Sequence, residues 1–216
     1  MLKLKLDLPD QHLKLLCIGA HSDDLEIGCG GTVLAWLATY VHVEVTWVVV
    51  SAPGQRDAET RDSATALLQG AANLKLVIRD FRDGYLPTHF SKVKDLFEEL
   101  KAAEAPDVIF THRLEDRHQD HRLTAELTWQ TFRDHLILEY EIPKYEGDLG
   151  PSNLFVPLPS SFCKRKVEHL MNHFSTQRSK SWFKAEVFLG LMQLRGIECH
   201  SESGYAEAFN IRKCTV

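Results

Sequence analysis

Two short stretches of the chain concentrate side chains that do acid–base and metal chemistry. The first is Ala20-His21-Ser22-Asp23-Asp24-Leu25-Glu26. The second is His112-Arg113-Leu114-Glu115-Asp116-Arg117-His118-Gln119-Asp120-His121-Arg122. A catalytic zinc takes three protein ligands from His, Asp, Glu or Cys and keeps a position open for water. His21, Asp24 and His121 supply such a set, and the spacing of three puts His21 and Asp24 on one side of a tight turn or a helix start. Water on that ion is acidified toward neutral pH and can attack a carbonyl. Asp23, beside a proposed ligand, is placed to take the water's proton. His118, one turn before His121, is placed to stabilise a tetrahedral oxyanion or to protonate a departing amine. Asp120 is placed to orient a histidine from behind.

A lone His-x-x-Asp is usually a surface turn or a helix cap. What favours a metal is the recurrence of two such clusters, each after an apolar strand. Two histidines and one carboxylate also make the facial triad of non-haem iron oxygenases, although those triads usually sit on jelly-roll sheets. A third reading is a non-catalytic glycan- or nucleotide-binding module, and Asp23 counts against it because a mere binding site needs no base there. Gly28-x-Gly30-Gly31 follows a strand and opens a helix, as a dinucleotide-binding turn does, but the GxGxxG spacing is not met.

The elements that must position these residues alternate strand and helix. Apolar, β-branched runs predict strands at 15–20, 43–50, 74–78 and 107–111. Helical periodicity predicts helices at 24–41, 59–72 and 90–103, the last with Val93, Leu96, Phe97 and Leu100 on its apolar face. This order calls for an α/β fold, a mostly parallel sheet with helices on both faces. In such a sheet the site forms at the carboxyl ends of the strands, where both clusters fall. Farther along, 123–135, 159–173 and 177–194 read as helices and 136–142, 153–158 and 206–211 as strands. The loop Glu141 to Asp148 is expected to shape a pocket. Arg56 and Arg61 are candidate substrate ligands, Trp182 and Phe183 read as core, and Lys164-Arg165-Lys166 reads as a solvated helix face.

Composition bounds the rest. The 216 residues carry a net charge of -5, which argues against a general nucleic-acid binder. The five cysteines, Cys17, Cys29, Cys163, Cys199 and Cys214, are odd in number and show no CxxC spacing, as expected of reduced thiols in a cytoplasmic protein. The N-terminus alternates apolar and charged residues, unlike a signal peptide, and no run is long enough to span a membrane. Self-association is left open.

At its two clusters the chain resembles a known family. AHSDDLEIGCGGT is similar to the AHPDD(x)E…G(G)T signature of the LmbE-like, or PIG-L, N-deacetylases, and RHQDHR is similar to that family's HPDHR element. Gly204-Tyr205-Ala206-Glu207-Ala208-Phe209 resembles a C-terminal element of many members. The resemblance implies a Rossmann-like fold and one domain over 1–216, with a core to about 135 and a substrate-shaping part beyond. It implies Zn2+ held by His21, Asp24 and His121, Asp23 as general base and His118 as auxiliary histidine. Arg61, with Arg56 as rival, matches an arginine that opens the second helix. The implied reaction is hydrolysis of the amide of an N-acetylated sugar or sugar-containing small molecule. Ser22 and Gln119 stand where the family has proline, which is expected to loosen both loops because proline fixes φ.

Overall fold

The computed structural model describes residues 3–103 and 105–215. Seven strands form one sheet: β1 (His12–His21), β2 (His42–Ser51), β3 (Asn73–Ile78), β4 (Val108–His112), β5 (Leu136–Tyr140), β6 (Leu154–Pro157) and β7 (Ala206–Asn210). Their order is β3-β2-β1-β4-β5-β7-β6. The first five are parallel, and β7 runs antiparallel to both β5 and β6. The chain leaves β1 in one direction to β2 and β3, then returns across the sheet to β4 on the other side. That reversal opens a crevice between the carboxyl ends of β1 and β4. His21 closes β1 and His112 closes β4.

Seven helices cover the sheet: α1 (Asp24–Gly28), α2 (Gly30–Thr39), α3 (Gln55–Leu67), α4 (Phe90–Ala103), α5 (Gln119–Thr131), α6 (Ser160–His173) and α7 (Ala185–Glu198). Alternation along β1 explains the two layers. Leu13, Leu15 and Cys17 face one apolar cluster, shared with α1, α2, α3, α6 and α7. Leu16, Ile18 and Ala20 face the other, shared with α4 and α5. Among the described residues no helix is long and apolar enough to cross a membrane.

The strands and α4 lie where periodicity places them. The helix expected over 24–41 is instead two, broken at Cys29, whose φ of -137 leaves helical geometry. The glycines explain the break. A Cβ at Gly28 would lie 2.2 Å from the Tyr140 ring, and one at Gly31 would lie 2.5 Å from Leu158 and 2.8 Å from Glu207. They admit side chains of the C-terminal part against the first motif. Helix α7 begins at Ala185 rather than near 177, because 175–177 forms a 3₁₀ turn tied to α3. There Glu59 accepts from the Ser175 hydroxyl, the Thr176 amide and the Thr176 hydroxyl at 2.7, 3.0 and 2.6 Å.

Candidate active site

The turn after β1 folds back on itself. The His21 amide donates to Asp24 Oδ2 at 2.6 Å, which brings the carboxylate beside its own histidine ring. Helix α5 starts at the second cluster and carries Asp120 and His121 in its first turn. The result is a buried triangle: His21 Nδ1 lies 3.1 Å from His121 Nε2 and 3.3 Å from Asp24 Oδ2, and His121 Nε2 lies 3.5 Å from Asp24 Oδ2. A tetrahedral divalent ion with bonds of about 2.1 Å spaces its donors by about 3.4 Å.

The far nitrogens of both rings are held by carboxylates. His21 Nε2 donates toward Asp120 Oδ2 at 3.2 Å and lies 3.1 Å from Asp83 Oδ1, while His121 Nδ1 donates to Asp116 Oδ2 at 3.0 Å. Those bonds place the proton on the outer nitrogen of each imidazole, so both lone pairs point inward beside a carboxylate oxygen. Three acceptors facing one another need a cation. Without a metal a proton takes that place. Burial opposes charge on His21, but Asp24 and the hydrogen bonds to Asp120 and Asp83 outweigh it and raise its pKa well above the ordinary value. Asp24 is held well below the carboxylate range, its burial outweighed by His121, His112 and His21. Burial, with His112 beside it, pushes His121 down to about 3.

Asp120 is fully buried and does not face the cavity. Its Oδ2 accepts the Gly84 amide at 2.6 Å and its Oδ1 the Leu86 amide at 3.0 Å, so it locks His21 to the loop after β3. Its role is positioning. His118 Nδ1 accepts the Asp120 amide at 3.3 Å, which leaves the ring proton on Nε2. Burial and the nearby His21 depress the His118 pKa, so a neutral N–H donor borders the triangle.

His21, Asp24, His118 and His121 line a cavity of about 180 Å³ with Asp23, Arg56, Asp83, Ile142, Lys144, Tyr145, Glu146, Gln177, Lys180 and Trp182. Asp23 Oδ1 accepts from Arg56 Nη2 at 2.6 Å. Burial raises the Asp23 pKa, Arg56 opposes that rise, and Asp24 adds to it. Arg61 is not part of this cavity. It points outward from α3 and pairs with Asp57 at 2.8 Å, five residues and more than a helical turn beyond Arg56.

Several side chains fall differently from their sequence reading. Trp182 lines the cavity while Phe183 is core. Lys166 is buried, not solvated: it donates to Ile27 O at 2.5 Å and to Glu207 Oε1 at 2.6 Å. Glu207 also accepts the Gly31 and Thr32 amides at 2.8 and 2.7 Å, which makes it the cap of α2. Ser22 and Gln119 both make contacts in their loops. Ser22 is fully buried and its hydroxyl faces Arg56 O at 3.5 Å, and the Gln119 amide donates to Gly84 O at 3.1 Å.

Sequence reasoning gave His112 and Asp116 no role within the second cluster, read Asp83 as part of a plain turn more readily than as pocket lining, and placed Lys144 only within the pocket-shaping loop. His112 stacks on His121 with centroids 3.9 Å apart and planes at 18°. Its Nε2 lies 3.0 Å from the Ala20 amide and 3.2 Å from Asp24 Oδ2; the amide needs a lone pair and the carboxylate a proton, so one contact is made at a time. Lys144 lies 3.0 Å from Asp116 Oδ2 and donates to both Asp148 oxygens at 2.7 and 2.6 Å, while Asp148 accepts the Arg117 amide at 2.7 Å. This knot binds the pocket loop to the carboxylate behind His121. Asp116 and Lys144 carry no short-range motif with each other, and only the fold brings them together.

The geometry agrees with what comparison finds. A model of the GlcNAc-PI de-N-acetylase family, PIG-L, matches residues 16–132, more than half of the chain. N,N'-diacetylchitobiose deacetylase from Pyrococcus horikoshii is 23% identical with a TM-score of 0.72, over 92% of this chain and 83% of that one. The conserved protein TT1542 from Thermus thermophilus is 20% identical with a TM-score of 0.71, over 94% and 96%. GalB, the 4-carboxy-2-hydroxymuconate hydratase from Pseudomonas putida KT2440, is 16% identical with a TM-score of 0.70, over 94% and 98%. At these identities the three structures share the fold. Both cluster motifs lie inside the family match, and the chain belongs to the PIG-L family of GlcNAc-PI de-N-acetylases.

Proposed function

We propose that this protein is a zinc-dependent N-deacetylase that hydrolyses the amide of an N-acetylated sugar or sugar-containing small molecule. The observation that carries the reading is the triangle of inward-facing lone pairs from His21 Nδ1, His121 Nε2 and Asp24 Oδ2, with donor spacings of 3.1 to 3.5 Å. That set fits a divalent ion with one position left open. When bound, the ion supplies Lewis acidity: it lowers the pKa of a coordinated water and polarises an amide carbonyl.

The chain's own residues do the rest. Asp23 lines the cavity beside the triangle and takes the proton from the attacking water. Arg56, bonded to Asp23 Oδ1, opposes the rise in that carboxyl's pKa that burial causes. The neutral His118 offers its Nε2–H to the oxygen of the tetrahedral state, and the proton that Asp23 took from the water leaves with the amine. Asp120 and Asp116 fix the two metal-facing rings in register. Tyr145 and Trp182 give the cavity mouth two aromatic surfaces, which suits the apolar face of a sugar ring.

The test is acetate release from a panel of N-acetylated sugars, with and without a chelator. Chelator-sensitive release that returns with zinc is the expected result. An absence of acetate from every substrate in the zinc-loaded protein refutes the deacetylase reading. Asp23→Asn should keep the metal and lose about 10²- to 10⁴-fold in kcat; unchanged turnover removes Asp23 from the mechanism. GalB shows that this fold also carries a hydratase, so product identification decides the reaction.

A further inference from the structure

The opposite end of the central strands holds a second cluster of metal-ligating groups. His12 opens β1 and His42 opens β2, and the two are register partners in the parallel pair. Glu44 follows His42 by two residues, so all three side chains stand on one face of the sheet. That face is apolar only from Leu16 and Val48 onward, where α4 and α5 cover it. Below that line the same face carries the buried Thr46 and, nearer solvent, His12, His42 and Glu44, with the Lys14 ammonium also acting on Glu44.

The three groups already touch. His12 Nε2 lies 2.6 Å from Glu44 Oε1, and the His12 and His42 rings meet edge to face with centroids 4.5 Å apart. One donor atom from each lies within 4.8 Å of the others. His42 is exposed, and the side chains of His12 and Glu44 are 36% and 31% exposed. Small rotations of solvent-facing rings therefore close the donors to the roughly 3.4 Å that a four-coordinate ion needs, without disturbing the core.

We infer that His12, His42 and Glu44 form a second metal site, one that takes a borderline divalent transition ion such as Zn2+, Ni2+ or Cu2+. Two imidazoles and one carboxylate select these ions over Mg2+ or Ca2+, which prefer all-oxygen sets. The site has no route to the chemistry. A ten-residue strand separates it from His21, about 30 Å at the usual rise per residue. Its physical effect is to clamp the first residues of β1 and β2 together and to raise stability with the logarithm of free metal once that exceeds Kd.

The site rests on its own residues and is tested apart from the catalytic reading. In the His21→Ala/His121→Ala double variant, stripped of metal, titration with NiCl2 or ZnCl2 alone should show one equivalent bound and a rise in Tm. Adding His42→Ala should abolish both, and Glu44→Gln should weaken binding while MgCl2 gives no signal in any variant. In the otherwise unaltered chain, His42→Ala should lower zinc content from two per molecule to one with kcat/KM unchanged. Binding to the double variant that persists undiminished in His42→Ala and His12→Ala, or no binding to the double variant at all, overturns the inference. Either result leaves the deacetylase reading untouched, because that reading stands or falls on acetate release.

Discussion

Strand β1 carries a histidine at each end, and the two are held differently. His21, at the carboxyl end, is 6% exposed and has carboxylates on both nitrogens. His12, at the amino end, is half-buried and has one carboxylate, Glu44, beside an exposed second histidine. The residue types at the two ends are the same. What separates them is the support behind the ligand atoms. At His21 and His121, Asp120, Asp83 and Asp116 fix each ring before any ion arrives. His12 has Glu44 beside it and His42 is exposed, so these rings must be ordered on binding. Preorganisation by carboxylates behind the rings distinguishes a site built for catalysis from one that merely captures an ion.

Deleting the ligand itself is the largest way to separate the ends. His21→Ala should remove the catalytic metal and lower kcat by more than about 10³-fold, while His12→Ala leaves kcat within error; metal analysis and acetate release report both. Equal losses would erase the distinction.

The glutamates sharpen it next. Burial pushes Glu26 up to about 8, against an unfolded value near 4.5, whereas the hydrogen bond from His12 holds Glu44 below its usual range. A raised acid binds its proton more tightly when folded. The stability it lends is therefore complete below about pH 4.5 and is lost as pH rises through about 8. Glu26→Gln mimics the protonated form and should leave stability at pH 5 unchanged. It should add a few kcal/mol at pH 9, since a tenfold change in proton affinity is worth about 1.4 kcal/mol. Denaturant melts at the two pH values check this, and a parallel offset at both would refute it.

Smaller effects test the support around His121. Asp116→Asn should weaken zinc affinity by about 10- to 100-fold, as loss of a carboxylate behind a ligating histidine does. Lys144→Met should cost less, about threefold to tenfold in affinity, because Asp116 keeps its bond to His121 but loses its tie to the pocket loop. Lys144→Arg should recover most of it. Chelator competition measures each, and an unchanged affinity in Asp116→Asn would show that the carboxylate is only structural. Smallest of all, Arg61→Ala should leave kcat/KM unaltered, as its exposed pair with Asp57 predicts.

The legible parts of the molecule are those whose signal is local. The parallel core could be read because β1, β2 and α4 each carry their own periodicity. His21, Asp23 and Asp24 are adjacent in sequence, and His118 and His121 lie one turn apart, so each cluster declares itself. The pairing of Asp116 with Lys144, or of Asp83 with His21, spans 28 and 62 residues of chain and rests on how loops close over the sheet. Lys166 read as solvent-facing because its neighbours Lys164 and Arg165 are exposed, and its burial is decided by Glu207, 41 residues away. The break at Cys29 is hidden from local pattern for the same reason: it is imposed by Tyr140 and Leu158 pressing on two glycines.

The carboxylate of Glu207 has a temporal consequence. It caps α2, yet it is made 176 residues after the first amide it holds. Until the ribosome has passed that codon, the Gly31 and Thr32 amides and the Lys166 ammonium have no counter-charge, and the loop bearing His21 and Asp24 lacks its backing. Nascent chains arrested before residue 207 should therefore emerge with every catalytic side chain present and the metal seat unformed.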